Sequence, residues 1–183
     1  MKNNKGITLL LLTVTIIVII IIMGITFTEG DKLVKEAKVE EYITNMISIK
    51  AKAKVYAEEI NAMVWNDSNP NERRTTLYSE KYEGGDIKNT LNTQVNDLDP
   101  DVTSGGSYVA YLLPSTVLTN MGLSKISEDH NYVVVCSLDD YTKIDIIYKE
   151  GIKYNKKTCY SLFKLQKEFG EYNKKWKKKK KKD

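Results

Sequence analysis

The chain has 183 residues, 28 lysines and arginines against 24 aspartates and glutamates, one histidine and two cysteines. That length sets one domain with one modest core, and two cysteines are too few for a disulfide scaffold. The formal charge of +4 is lopsided: without the eight lysines and one aspartate of 174–183 the remainder holds 20 basic and 23 acidic residues, a mildly acidic body with a strongly basic end.

Residues 1–6 are short and basic, with Lys2 and Lys5 and no acid, and from Gly6 to Thr28 no residue is charged. The apolar block 7–27, mostly Ile, Leu and Val, would form about 31 Å of helix, the thickness of a bilayer's hydrocarbon core. The two lysines before it keep the N-terminus cytoplasmic and send the body outward. A removed secretory signal is disfavoured, because the block is long and no small-x-small site follows it. Gly24, Gly30 and a capping-box pattern at Thr28–Asp31 predict a kink or melted segment near 24–31. Over 28–65, Leu33, Val34, Ala37, Ile43, Met46, Ile47, Ala53, Ala57, Ile60 and Val64 recur mostly three and four apart, an apolar stripe on a helix. Asn66–Pro70 ends it.

Residues 66–107 are polar and turn-rich and read as a long variable loop, with a short helix around Ile87–Leu91. Strands are predicted at Tyr108–Leu113, Asn131–Leu138 and Thr142–Tyr148, with a short helix from Pro114 to Gly122 and a tight turn at Asp139–Asp140. Ile144, Ile146 and Tyr148 alternate against Lys143, Asp145 and Ile147, so one sheet face should be partly buried. Lys149–Gly151 reads as a turn, and Leu162–Phe169 as a closing helix. Twelve tyrosines against three phenylalanines suit a wet, surface-lying sheet. Cys136 and Cys159 read as buried thiols in preference to a bridge. A helix followed by a sheet over 108–172 and a Lys-rich tail over 173–183 make an α+β chain.

Lys5-Gly6-Ile7-Thr8-Leu9 ahead of a long apolar helix resembles the leader and N-terminal helix of type IV prepilins and pseudopilins. The resemblance implies a prepilin-type peptidase cutting between Gly6 and Ile7 on the cytoplasmic side, often with methylation of the new terminus. The physical fit is a small, unhindered residue at the cut, extended just before the helix begins. It implies a pilin-like fold: a long helix, half in the membrane and half amphipathic, packed on a small antiparallel sheet. It implies a structural subunit of a type IV pilus or of a type II secretion-like pseudopilus, joined through the membrane half: Leu9, Leu10, Leu11, Leu12, Val14, Ile16 and Ile17. The partners implied are the membrane, other pilin-like subunits, the peptidase and, indirectly, an assembly ATPase and platform proteins. The protein would wait single-pass in the cytoplasmic membrane, head outside, and move to a cell-surface filament. One position departs: the family commonly carries Glu at the fifth mature position, here Leu11, a loss shared with some Gram-positive pilin-like proteins and minor pseudopilins. Tyr148–Tyr154 resembles the C-terminal hairpin of such Gram-positive proteins.

No phosphate loop or dinucleotide fingerprint is present, and His130 sits in a polar stretch without catalytic spacing, so the chain does not read as an enzyme. Asp97, Asp99 and Asp101 alternate like the opening of a calcium loop. The sixth and twelfth places, however, are Val102 and Tyr108, so a solvated acidic turn is preferred, calcium is the lesser alternative, and no cofactor is expected. The tail residues Lys174, Lys175, Trp176, Lys177 and Lys178 have two level readings. One is a grip on an anionic partner such as lipid headgroups, DNA or wall polymer; the other is a self-repelling, solubilising end. The alternative to a pilin is therefore a permanently anchored surface protein whose tail binds anionic polymer.

Overall fold

The computed structural model describes residues 5–126, 131–154 and 156–179, with side chains from residue 35 to residue 170 within those ranges. It is α+β: a long helix, α1 (Lys5–Val64), precedes a four-stranded antiparallel sheet in the order β1 (Tyr108–Leu112), β2 (Tyr132–Ser137), β3 (Ile144–Tyr154), β4 (Lys157–Ser161). Between them lie α2 (Pro70–Lys81), two 3-10 turns (Lys88–Thr90 and Thr93–Asp97) and the single-turn α3 (Pro100–Thr103). Helix α4 (Ser115–Asn120) joins β1 to β2, and α5 (Leu162–Lys179) follows β4. The chain divides into two units, residues 1–41 and 42–183.

Helix α1 is unbroken through Gly24 and Gly30, so the melted segment expected at 24–31 does not form. Two glycines cost about 1 kcal/mol each against alanine, too little to interrupt a helix of 60 residues. In the second unit its buried stripe is Met46, Ile49, Ala53, Ala57, Ile60 and Val64, spaced three and four apart throughout. Ile49 replaces the expected Ile47, which is exposed; positions two apart on a helix sit about 200° apart, on nearly opposite sides, so only one of the pair can face inward.

Successive strand residues alternate between faces, and the register sorts them. Val109, Tyr111, Tyr132, Val134, Cys136, Ile144, Ile146 and Tyr148 share one face; Ala110, Val133, Val135, Asp145 and Ile147 share the other. All are buried. The single half-buried face predicted from alternation is thus corrected: both faces are covered. The first lies under α1 and α2, with the Tyr42 ring 5.0 Å from Tyr148 and those of Tyr78 and Tyr82 6.3 and 5.5 Å from Tyr111. The second lies under the segment expected to be loop, whose Leu91, Leu98 and Val102 pack with Ala110, Val133, Val135 and Ile147.

Three further expectations change. The tyrosines are core residues, Tyr78, Tyr82, Tyr111 and Tyr132 being fully buried. Lys149–Gly151 is no turn but an irregularity inside β3, where four residues, Tyr148–Gly151, stand opposite Tyr160 alone. Tyr148–Tyr154 is accordingly one strand; the hairpin is β3 with β4, a strand the pattern did not predict. The helix after Pro114, its end at Gly122 (φ +75°) and the closing helix from Leu162 all form.

Candidate functional site

The residues read as the processing and assembly site lie on α1. Gly6 and Ile7 lie in the helical backbone of α1, where the sequence suggests an extended residue ahead of the helix. Leu9, Leu10, Leu11, Leu12, Val14, Ile16 and Ile17 follow on the same helix, and their side chains lie outside the described residues. Among the described residues no helix is long and apolar enough to cross a membrane; the apolar block 7–27 is not among the residues so assessed.

In the head, α2 holds the end of α1. Arg74 donates from Nη2 to Asn61 Oδ1 on α1 (2.7 Å) and from Nη1 to the Leu138 carbonyl in the β2–β3 turn (2.9 Å). Lys81 pairs with Glu59 of α1 at 2.7 Å. Beneath lie Tyr78 and Tyr82, stacked with centroids 5.9 Å apart, both hydroxyls buried without a regular hydrogen-bond partner among the described residues. They neighbour the Cys136 thiol, which burial pushes up to about 12 while the two tyrosines pull it down. A thiol so held is protonated at neutral pH and is no nucleophile. Cys159 is likewise free and buried. His130 lies outside the described residues. At the α1–α2 corner Ile60, Met63, Leu77, Glu80 and Lys81 line a shallow depression of about 230 Å³, and Trp65 beside it in sequence is 80% exposed.

The acidic triplet goes to three separate partners. Asp97 accepts from the Tyr160 backbone N–H at 3.0 Å and faces Lys164 at 3.9 Å. Asp99 caps α3 by accepting from the Asp101 N–H at 3.1 Å. Asp101 pairs with Lys143 at 3.3 Å. Among the described residues no group of three or more His, Cys, Asp or Glu could hold a metal ion, and the three acids expected as a calcium candidate each make a separate contact. The reason is the cap: a 3-10 turn, a proline and a helical turn send successive acids in different directions.

Those contacts belong to a strap that seals the sheet at both edges. On β1, Asp86 Oδ1 accepts from the Ala110 N–H (2.9 Å), and the Ile87 N–H donates to the Ala110 carbonyl (2.7 Å). On β4, Asp97 takes the Tyr160 N–H, and the Ser161 hydroxyl bonds the Asp97 carbonyl. Under the strap the Asp145 carboxylate is wholly buried. It accepts N–H groups of Asp99 (3.1 Å), Ile146 (2.9 Å) and Phe163. Burial raises its pKa, and those hydrogen bonds and the Lys50 charge oppose the rise without cancelling it. Phe163 is in the first turn of α5, whose Lys164 N–H is taken by Ser161 Oγ at 3.1 Å. Strap, β3, β4 and α5 thus meet at one buried polar junction.

No family model, curated protein or solved structure matches this chain. The tail lysines 174, 175, 177 and 178 and Trp176 lie on the α5 backbone, with side chains outside the described residues. The Cys136–tyrosine cluster, the strap and the Asp145 junction were not read from sequence. A signal for the strap existed: Ile87, Leu91, Val95, Leu98 and Val102 are spaced four, four, three and four apart.

Proposed function

We propose that this chain is a structural, pilin-like subunit, inserted in the cytoplasmic membrane by residues 7–27 with its head outside. It is cut after Gly6 by a prepilin-type peptidase and assembled into a type IV pilus or type II secretion-like pseudopilus through its apolar N-terminal helix. The observation that carries the reading is α1 itself. One helix runs from Lys5 to Val64; its first part is charge-free from Gly6 to Thr28, and its last part is an apolar stripe buried in an α+β head.

The sheet supports it from the other side. Open strand edges are the usual route to strand-to-strand joining of copies, and here both outer strands spend backbone groups on the strap. That leaves the apolar helix as the element to share. Exchanging lipid contact for helix–helix contact is nearly neutral, so extraction requires an ATP-driven platform, as in the family. Leu11 in place of the usual Glu removes a buried charge that would cost stability unless paired, and with it the pairing to a neighbour's terminal amine.

Protein recovered from membranes should begin at Ile7, its intact mass lower by residues 1–6, and Gly6→Ala should block the cut. Recovery of the uncut chain, Met1 included, sinks the reading. The alternative, a permanent surface anchor with a polyanion-binding tail, is favoured if the sheared surface fraction lacks the protein.

A further inference from the structure

Helix α5 starts as a core element. Leu162 and Leu165 are buried, and the Phe169 ring lies 5.4 Å from that of Tyr154, tilted at 51°; the three are spaced three and four apart. The same rhythm continues through Tyr172 and Trp176 on a helix that extends to Lys179. At about 100° per residue the five positions fall within roughly 80° of arc, one seam along the helix. Lys164, Lys167, Lys174, Lys175, Lys177 and Lys178 all lie about 100° or more from Trp176 on the same wheel.

A run of lysines disfavours its own helix, because like charges three and four apart repel. Such a helix is stabilised by a partner dense in negative charge. A soluble polyanion would satisfy the lysines and leave the aromatic seam in water. An anionic bilayer surface satisfies both, with phosphates at the rim and an apolar boundary about 5–10 Å below. We propose that the C-terminal half of α5 is an interfacial helix. Tyr172 and Trp176 settle at the acyl boundary of an anionic bilayer, and Lys174, Lys175, Lys177 and Lys178 sit among its headgroup phosphates. This takes the tail from the alternative reading above and names its partner; it does not depend on the cut after Gly6, which the N-terminal residue reports separately.

The test uses the full chain carrying Trp65→Phe, which leaves Trp176 as the one tryptophan of two. It is reconstituted into vesicles of phosphatidylcholine alone or with phosphatidylglycerol, with and without brominated acyl chains. Trp176 emission should shift to the blue and be quenched by the bromines in the anionic vesicles only. High salt should reverse both effects. Replacing Lys174, Lys175, Lys177 and Lys178 together by Gln should abolish both, with unchanged circular dichroism; if that variant fails to fold, the salt reversal in the parent decides. Equal quenching in neutral and anionic vesicles overturns the proposal, as does emission that ignores both. A blue shift in neutral vesicles on adding soluble polyphosphate, matching that in anionic ones, assigns the tail to polyanions and overturns it too.

Discussion

Asp145 shows what a single side chain can decide in this head. It is a carboxylate with no exposed surface, placed where strap, β3 and α5 all turn their N–H groups inward. Its folded pKa is raised by burial, so the native state holds its proton at a pH where the unfolded chain, near 3.9, has released it. Stability from this group is therefore full below the unfolded value and falls as pH rises through the folded one. Asp145→Asn should remove that slope: the difference in unfolding free energy, variant minus native, should climb with pH above about 3.9 and then level. Urea titrations across the acid range measure it, and a difference that stays flat with pH refutes the assignment. Cys136 and the tyrosines around it are a contrasting case. Their polar atoms are buried with little to bind, yet the rings fill the sheet face, so the cost of the hydroxyls is offset by packing.

Among the elements, β3 is the most constrained. Gly151 has φ +71°, and a Cβ added there would come within 2.4 Å of Thr158 Cγ2 and 2.7 Å of Tyr160 Cε1. Conformation and space both demand glycine. Gly151→Ala should lower the unfolding free energy by about 1–3 kcal/mol, and an unchanged denaturation midpoint would refute the geometry. That irregular stretch explains why Lys149–Gly151 reads as a turn in sequence: glycine signals positive φ but not whether the chain reverses or bulges. Elsewhere legibility followed periodicity. The lower α1 stripe, with Met46, Ala53, Ala57, Ile60 and Val64 buried but the expected Ala37 and Ile47 exposed, strands β1 and β2 and the first part of β3 are plain, since long rhythmic runs leave few alternatives. Helix α2 is hidden in the sequence because Leu77 and Tyr78 are its only buried residues among the twelve; Pro70 signals the end of one helix and is also the start of the next. The strap carried a helical rhythm, but Asn, Asp and Pro cut it into single turns too short to register as a helix. Its buried contacts depend on which strand edges it meets, which no local window contains.

At the scale of the molecule, residues 1–41 and 42–183 are separate compact units. Exchange of backbone amides should divide accordingly. Leu98→Ala, which cuts the core under the strap, should cost about 2–5 kcal/mol and speed exchange across 46–64. Amides of 8–34 should keep their rates, because their protection comes from a different environment. A uniform acceleration along α1, followed by mass spectrometry in micelles, would contradict the division. The two readings of function differ in what they ask of these units. A filament needs the first to leave lipid while the second stays folded; an anchor needs neither to change.

The strap has a consequence for biogenesis. Residues 86–97 precede all four strands in the chain, so in vectorial synthesis the cover leaves the ribosome before the edges it will cover. Strand β1 meets Asp86 and Ile87 almost at once. Strand β4, last to emerge, finds Asp97 already placed 63 residues upstream of Tyr160. Each chain therefore carries, ahead of its strands, the segment that takes up backbone groups on both of its own outer strands.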